Sequence, residues 1–446
     1  MVPAVIAVVA AGSLLVPAAP IFDAWSWLGW GDQLKSGGLN TSGPTAWKPL
    51  AGLIGLALTP LGSRAPTGWL LLVRVGGLCV VALTAILAAR LALRPRLAAA
   101  AAVVVVLGLR HAVPAAMEGG SEVLIAALLL AAALAYVRVD DGRPAAASTG
   151  VSAALAGPLL LAGLLRPEAW PLAAAAVVLA IRTRGAAPRA LGVLAVLAMV
   201  GAWWLPTGAA SAAGQARGSP LAGSTGPVSV LLDGLTVAPV VAGILAVVAV
   251  TSALRQESRV AAPVVLGLAA ASWMAVVLVE AGIGYPALAR FVLPLGPIVA
   301  ALAGVGLSRL SAQPLMFVAA LVLLGVEVAG PRLADARTEV ARVRARAEES
   351  NALTAVMRRA AVGPGTRQLC VDEPYRSQVA FLVGAPAGEI CSGPGFAARA
   401  PDPDREIVVI STGESIDTAG RTREDGSTKF GPWAVQRHGP VSSLVP

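Results

Sequence analysis

The stretch TGWLLLVRVGGLCVVALTAILAARLA, residues 67–92, carries Arg74 and Arg90 as its only charges. A helix that crosses the hydrocarbon core of a bilayer needs about 20 consecutive, mostly apolar residues. This stretch is long enough, and it lacks the polar face that a surface helix of a soluble protein turns to water. Similar runs occur at 3–20, 97–113, 122–138, 150–165, 170–183, 189–205, 230–254, 260–280, 291–308 and 314–330. By length they predict an all-α polytopic transmembrane bundle of about eleven crossings. A further apolar stretch, 49–62, is too short to cross and is expected in the membrane interface. The first run starts at Val2 with no basic leader or small-residue cleavage site. It therefore reads as a spanning helix rather than a signal peptide.

Composition agrees. Of 446 residues, 57% are hydrophobic and 13% charged, against about 25% charged in an ordinary soluble domain. Mean hydropathy is +0.76. The net charge of +9 is assigned to arginines flanking membrane helices. No basic–aromatic cluster points to nucleic acid. The wealth of Ala, Val, Leu, Gly and Arg and the scarcity of Lys resemble a GC-rich bacterial genome, and the expected location is a bacterial plasma membrane.

Loop arginines set the orientation. One alternate set holds Arg90, Arg94, Arg96, Arg138, Arg143, Arg182, Arg184, Arg189, Arg255, Arg259 and Arg309; the other holds mainly Arg64, Arg110, Arg166, Arg217 and Arg290. The denser set is read as cytoplasmic. The polar loop 21–47 and the segments 114–121, 166–169, 206–229 and 281–290 then face outward, together with the C-terminal region. Composition changes after Gly330, which divides a transmembrane domain, 1–330, from a small soluble extracytoplasmic α+β domain, 331–446. In the latter, 333–360 reads as an amphipathic helix, and Gln368–Val371, Ile407–Ser411 and Trp433–Gln436 as strands. Cys79 lies in an apolar run. Cys370 and Cys391 lie in the outer domain and are a candidate disulfide if that side is oxidising. No metal-ligand spacing occurs, and no internal repeat of fixed period is visible.

Polar residues kept at or near membrane depth are functional candidates. Asp23, just past the first helix, could act as a general base or cap a short interfacial helix from Ala24. Lys48, in Trp47-Lys48-Pro49, could neutralise a phosphate or anchor its helix at the interface. Arg74 is a charge inside an apolar run. Glu118 and Glu122 precede the next crossing, where Glu122 also suits a first helical turn. Arg166-Pro167-Glu168 opens an outer turn, and Tyr285 and Arg290 precede Phe291. Asp23, Lys48, Glu122, Arg166, Glu168 and Arg290 all fall on the outward side, which suggests one polar site there.

The order of these elements resembles the GT-C superfamily of glycosyltransferases, above all its polyprenyl-phosphate-sugar-dependent mannosyl-, arabinosyl- and aminoarabinosyl-transferases. Asp23 matches the acid after the first helix, Lys48-Pro49 the Lys-Pro motif, and Gly62 and Arg74 the Gly and Arg of the next crossing. Glu122, with Glu118 as rival, matches the later outer acid. Leu165-Arg166-Pro167-Glu168 resembles the Thr-Arg-Pro-Glu segment, and Arg290-Phe291-Val292-Leu293-Pro294 the Arg-Tyr-Leu-Leu-Pro segment. The likeness covers roughly residues 1–310. Departures are a single proline after Lys48, Leu165 in place of Thr, and Asp32 in place of an acid adjacent to Asp23.

The resemblance implies an enzyme that moves a hexosyl or pentosyl group from a polyprenyl-phosphate sugar to a glycan, lipid or protein acceptor of the cell envelope, with inversion. Asp23 and Glu122 would be catalytic. Lys48, Arg74 and Arg290 would hold the donor phosphate. Trp47, Glu118, Arg166, Glu168 and Tyr285 would line the substrate site. No cofactor is assigned with certainty, and a divalent cation is compatible. Two other readings stand beside it: a transporter or lipid flippase, and a non-catalytic envelope assembly protein.

Overall fold

A computed structural model describes residues 2–41, 45–140, 148–181, 186–206, 226–255, 262–285, 288–359, 367–371, 375–385, 390, 406–412, 428–430 and 433–438. Apolar α1 (Val2–Ser13) ends before a second helix, α2 (Phe22–Ser36). Where the sequence reading placed a loop, α2 carries four of its buried side chains on Ala24, Trp25, Trp27 and Leu28. Its mixed composition hides it from a hydropathy window. Gly37 closes it in a left-handed turn at φ 78°, the usual helix stop.

The stretch expected at the interface is α3 (Pro49–Leu58), begun by a proline at its first position where a missing N–H costs nothing. A 3₁₀ turn (Thr59–Arg64) joins it to α4 (Ala65–Leu91). Gly62, at φ 52° and ψ −124°, makes the kink between them; a side chain would resist that conformation. The chain continues through α5 (Pro95–Leu107), α6 (Ala112–Met117), α7 (Ser121–Asp140), α8 (Ser148–Gly163), α9 (Trp170–Ile181) and α10 (Ala186–Gly201). The expected crossing at 230–254 is two helices, α11 (Pro227–Leu235) and α12 (Val240–Leu254), bent by 89°. Pro239 caps α12 and cannot continue α11. Then come α13 (Ala262–Gly282), α14 (Gly296–Leu310) and α15 (Pro314–Glu327).

By length and hydropathy, five helical runs among the described residues can cross a membrane, or six if the bent pair counts as one span. Five further apolar helices have 10–17 residues. Among the described residues the runs of spanning length account for five or six of the about eleven expected crossings. The chain is a multi-pass membrane protein.

Small residues let the helices meet at backbone distance. A Cβ on Gly306 of α14 would fall 2.0 Å from the Leu245 carbonyl oxygen of α12, and one on Gly304 would fall 2.3 Å from that of Ala98 in α5. Without a hydrophobic drive between helices in lipid, such close packing is a main source of cohesion. By contrast, Leu194, Leu197, Val247, Leu321 and Val326 project outward, as lipid-facing side chains do.

Beyond α15, a π-helical turn (Val328–Arg332) leads without a break into α16 (Leu333–Arg359). The C-terminal unit adds β1 (Arg367–Val371), α17 (Arg376–Val383), β2 (Glu406–Thr412), β3 (Thr428–Phe430) and β4 (Trp433–His438). The sheet order is β1-β2-β4-β3, with β1 and β2 parallel and the other pairs antiparallel. Leu353, Val356 and Met357 of α16 join Leu369, Val371, Val379, Val383 and Ile410 in a second core. Cys370 is buried and disulfide-bonded; Cys391 lies outside the described residues.

On the membrane side, α2 lies on α3 through two glycines. A Cβ on Gly31 would come within 2.2 Å of the Gly55 carbonyl carbon, whereas one on Gly29 would meet nothing within 4 Å. Gly31→Ala should therefore destabilise the protein by about 1–3 kcal/mol through overpacking. Gly29→Ala should be neutral or slightly stabilising. Thermal unfolding of both variants in lipid nanodiscs checks the contrast.

Candidate active site

Five segments far apart in sequence bring their charges together. Asp23 sits in the first turn of α2, Lys48 immediately precedes α3, Glu122 opens α7, and Arg166 and Glu168 flank the start of a 3₁₀ turn (Pro167–Ala169). Arg290 arrives from the 3₁₀ turn Ala289–Phe291. Proline at the start of α3 and of the 167–169 turn holds Lys48 and Arg166 in extended backbone, as the residue before proline prefers.

Arg166 is the hub. Its guanidinium donates to Glu168 at 2.9 Å and to Glu122 at 3.2 Å, and lies 3.4 Å from the centre of the Phe291 ring. Burial opposes its charge, but Glu168 and Glu122 outweigh burial and push its pKa up. Arg290 donates to Asp23 at 2.9 Å, and its Nε lies 3.8 Å from Glu122. Lys48 donates to Ser121 at 2.7 Å and stands 4.6 Å from the Trp27 ring centre. Burial, helped by nearby Arg166, lowers the Lys48 pKa to about 8, with Glu122 and Asp23 resisting. Lys48, Arg166, Glu122 and Glu168 are all buried, while the Arg290 side chain keeps 37% of its exposure.

Two features suit an anionic ligand. The N–H groups Nε of Arg166, Nε of Arg290 and Nε1 of Trp27 are buried and have no acceptor among the described residues, a costly state for a donor. Beside the cluster lies an apolar cavity of about 300 Å³, lined by Val9, Leu78, Val81, Val106 and Leu293, with Glu122 and Arg74 also in its wall.

The remaining expected residues stand around this cluster. Arg74 reaches the Ser13 and Val16 carbonyls at the end of α1 and the Met117 carbonyl, a favourable place for a cation. The Trp47 indole donates to the Ala202 carbonyl at 3.0 Å and packs edge-on against Trp30. Glu118 accepts from Arg346 at 2.9 Å; burial raises its pKa, with Arg346 opposing. Tyr285 packs against Phe291 at 6.4 Å, and burial pushes its phenol up.

Sequence reading missed Ser121, Trp27 and Glu280. Ser121 and Trp27 become visible only through their contacts with Lys48. Glu280 is near enough to Arg166 for their charges to interact, and a lone acid late in the apolar run of α13 was a usable signal.

Asp23 and Glu122 each turn one oxygen onto a guanidinium. Among the described residues, no three His, Cys, Asp or Glu side chains gather where a metal could sit.

The chain shares its fold with two solved structures. Among solved structures it is similar to ArnT from Cupriavidus metallidurans bound to undecaprenyl phosphate. That match has a TM-score of 0.63 and 16% identity, covering 100% of this chain and 98% of that one. It is also similar to the Archaeoglobus fulgidus oligosaccharyltransferase complexed with Zn and sulfate, with a TM-score of 0.52 and 11% identity, covering 86% and 62% of the two chains. No protein-family model and no curated protein matches the sequence.

Removing Arg166 would leave Glu122 and Glu168 buried without their shared partner. Arg166→Met should cost about 3–5 kcal/mol, the usual penalty for breaking a buried pair. Adding Glu122→Gln and Glu168→Gln should recover much of it. Chemical or thermal unfolding in nanodiscs reads both effects.

Proposed function

We propose that the protein is a glycosyltransferase that takes a sugar from a polyprenyl-phosphate donor and passes it to a hydroxyl of a cell-envelope acceptor at the outer membrane face. One observation carries this reading: a cluster in which buried Lys48 and Arg166 stand beside half-buried Arg290, with three buried N–H groups lacking acceptors among the described residues, meets an apolar cavity at Glu122. A phosphate ester of a long isoprenoid has the same two halves. ArnT, whose fold the chain shares, is described bound to undecaprenyl phosphate.

Charge balance shapes the mechanism. Arg166 and Arg290 pair with Glu122, Glu168 and Asp23, whereas Lys48 donates to Ser121. An incoming phosphate can meet Lys48 directly, and an arginine joins it only by leaving a carboxylate. Arg166 is locked by two carboxylates and a ring, whereas Arg290 is the more exposed and holds Asp23 through one bond. Arg290 turning to the phosphate frees Asp23 to accept the proton of the acceptor hydroxyl. The acceptor oxygen attacks the anomeric carbon, the bond from that carbon to the phosphate oxygen breaks, and the anomeric configuration inverts. Lys48 and Arg290 stabilise the charge that develops on the departing lipid phosphate. Glu122 stays bound to Arg166 and holds it in place.

Asp23→Asn should lower transfer from radiolabelled polyprenyl-phosphate mannose, arabinose or glucose by about 10²–10⁴-fold, the usual contribution of a general base. Donor binding should persist. The absence of donor binding across all three sugars would overturn the reading.

With Lys48 pushed down to about 8, its charged form is present below that pH and is lost above it. The kcat/KM for a phosphate-bearing donor should therefore fall as pH rises through about 8. Because a bound phosphate favours the ammonium, kcat should hold to higher pH. Lys48→Arg should remove the alkaline fall, since a guanidinium stays protonated there. Initial rates across pH 6–10, an interval of roughly two units on either side of that transition, test this.

A further inference from the structure

We infer that the C-terminal unit positions Asp23, with Ser377 and Phe381 of α17 as the positioning residues. The inference rests on the proposed role of Asp23 as base.

The helix α17 has three faces, and each is tied to something different. Val379, Ala380 and Val383 enter the core of the C-terminal unit. Gln378 locks the helix to α16. Its amide nitrogen donates to the Ser350 carbonyl at 2.9 Å and to the Thr354 hydroxyl at 3.1 Å, and its oxygen accepts from the Ser350 hydroxyl at 3.0 Å. Ser377 and Phe381, one turn apart, face away from that core toward α2. The Ser26 hydroxyl donates to the Ser377 hydroxyl at 2.7 Å, with both residues buried. The Phe381 ring lies 5.3 Å from that of Trp25.

Residues three apart share a helix face, so Ser26 sits directly along α2 from Asp23. The opposite side of α2 rests on α3 at backbone distance through Gly31 and Gly55. The glycine contact sets the separation of α2 from α3, and α2 is further held by Ser26 with Thr45 and by Trp27 and Trp30 against Trp69 and Trp47. On the remaining side α17 adds a buried hydrogen bond and an aromatic pair. The base on α2 thus takes its place from a unit more than 350 residues away along the chain.

The entry to α2 is held from the same unit. The Ile21 amide donates to the Glu118 carbonyl at 2.8 Å, and the Glu118 side chain accepts from Arg346 of α16. Further along, Arg110 meets Asp335 at 3.4 Å and His111 meets Glu339 at 3.3 Å. Asp335, Glu339 and Arg346 are spaced by four and seven residues, so they lie along one face of α16.

The test uses the full chain in nanodiscs and two readouts. In Ser377→Ala and Phe381→Ala, amide hydrogen exchange of residues 22–28 should accelerate about tenfold or more, while the peptide from α7 stays protected, as expected for locally reduced stability. With a polyprenyl-phosphate sugar that the wild type turns over, kcat should fall by about tenfold while KM for the donor moves less than about twofold, the signature of a misplaced catalytic group. Phe381→Tyr, which keeps the ring, should restore kcat. Combining Ser26→Ala with Ser377→Ala should cost no more than the larger single loss, because one shared bond is removed twice. If Ser377→Ala fails to fold, Phe381→Leu replaces it with apolar volume retained. Unchanged exchange at 22–28 overturns the positioning role whether or not turnover is found. Accelerated exchange with full kcat shows that α2 is held but that the hold does not serve catalysis, and this also overturns it. A wild type without turnover sinks the proposed reaction and leaves the exchange result to decide the mechanical link.

Discussion

Arg166 binds two carboxylates beneath an aromatic ring, and the rest of the site depends on that one guanidinium. Burying a charge costs several kcal/mol unless it is paired and hydrogen-bonded. Here Glu168 and Glu122 supply the pairing and Phe291 covers the face. Three segments are fixed by this single contact: the turn after α8, the start of α7 and the turn before α14. With Glu122 held, Arg290 has a second carboxylate to lean on, and through Arg290 the α2 acid is drawn in. A planar, always-charged fork can hold two acids at once; a lysine at 166 could not keep that geometry.

Around the charges, the fold supplies two contrasting surroundings. Helices packed at glycine distance give a rigid frame on the membrane side, with α14 buried along nearly its whole length. The apolar cavity beside Glu122 interrupts this frame where α1, α4, α5 and α7 meet. On the other side, α16 and α17 bring a second core against α2 and the loop before α7. The acids therefore lie at a seam between a lipid-embedded bundle and a C-terminal unit with its own core.

Much of the fold was legible in the chain. Apolar stretches longer than a bilayer is thick can be satisfied only as helices in lipid, because each buried backbone group must find its partner within its own segment. That local rule is why 67–92 and 260–280 correspond closely to α4 and α13. It failed where length alone was ambiguous. The helix α2 gave no hydropathy signal, because Asp23, Ser26, Asp32 and Lys35 dilute it, and it was legible only as the short helix that Asp23 could cap. The bend between α11 and α12 was hidden because Pro239 reads as one residue in an apolar run.

By itself, the sequence determined the membrane class, the helix frame and the list of polar residues kept where apolar ones are cheaper. Those are local properties, set by hydropathy, proline and charge within one turn or one span. Only the tertiary structure decided which of these residues meet. It joined Asp23 to Arg290 and Glu122 to Arg166, turned Arg74 toward the end of α1, and placed Ser377 against Ser26. Partner choice between charges depends on distance and burial across segments hundreds of residues apart, and neither quantity is written in the order of the chain.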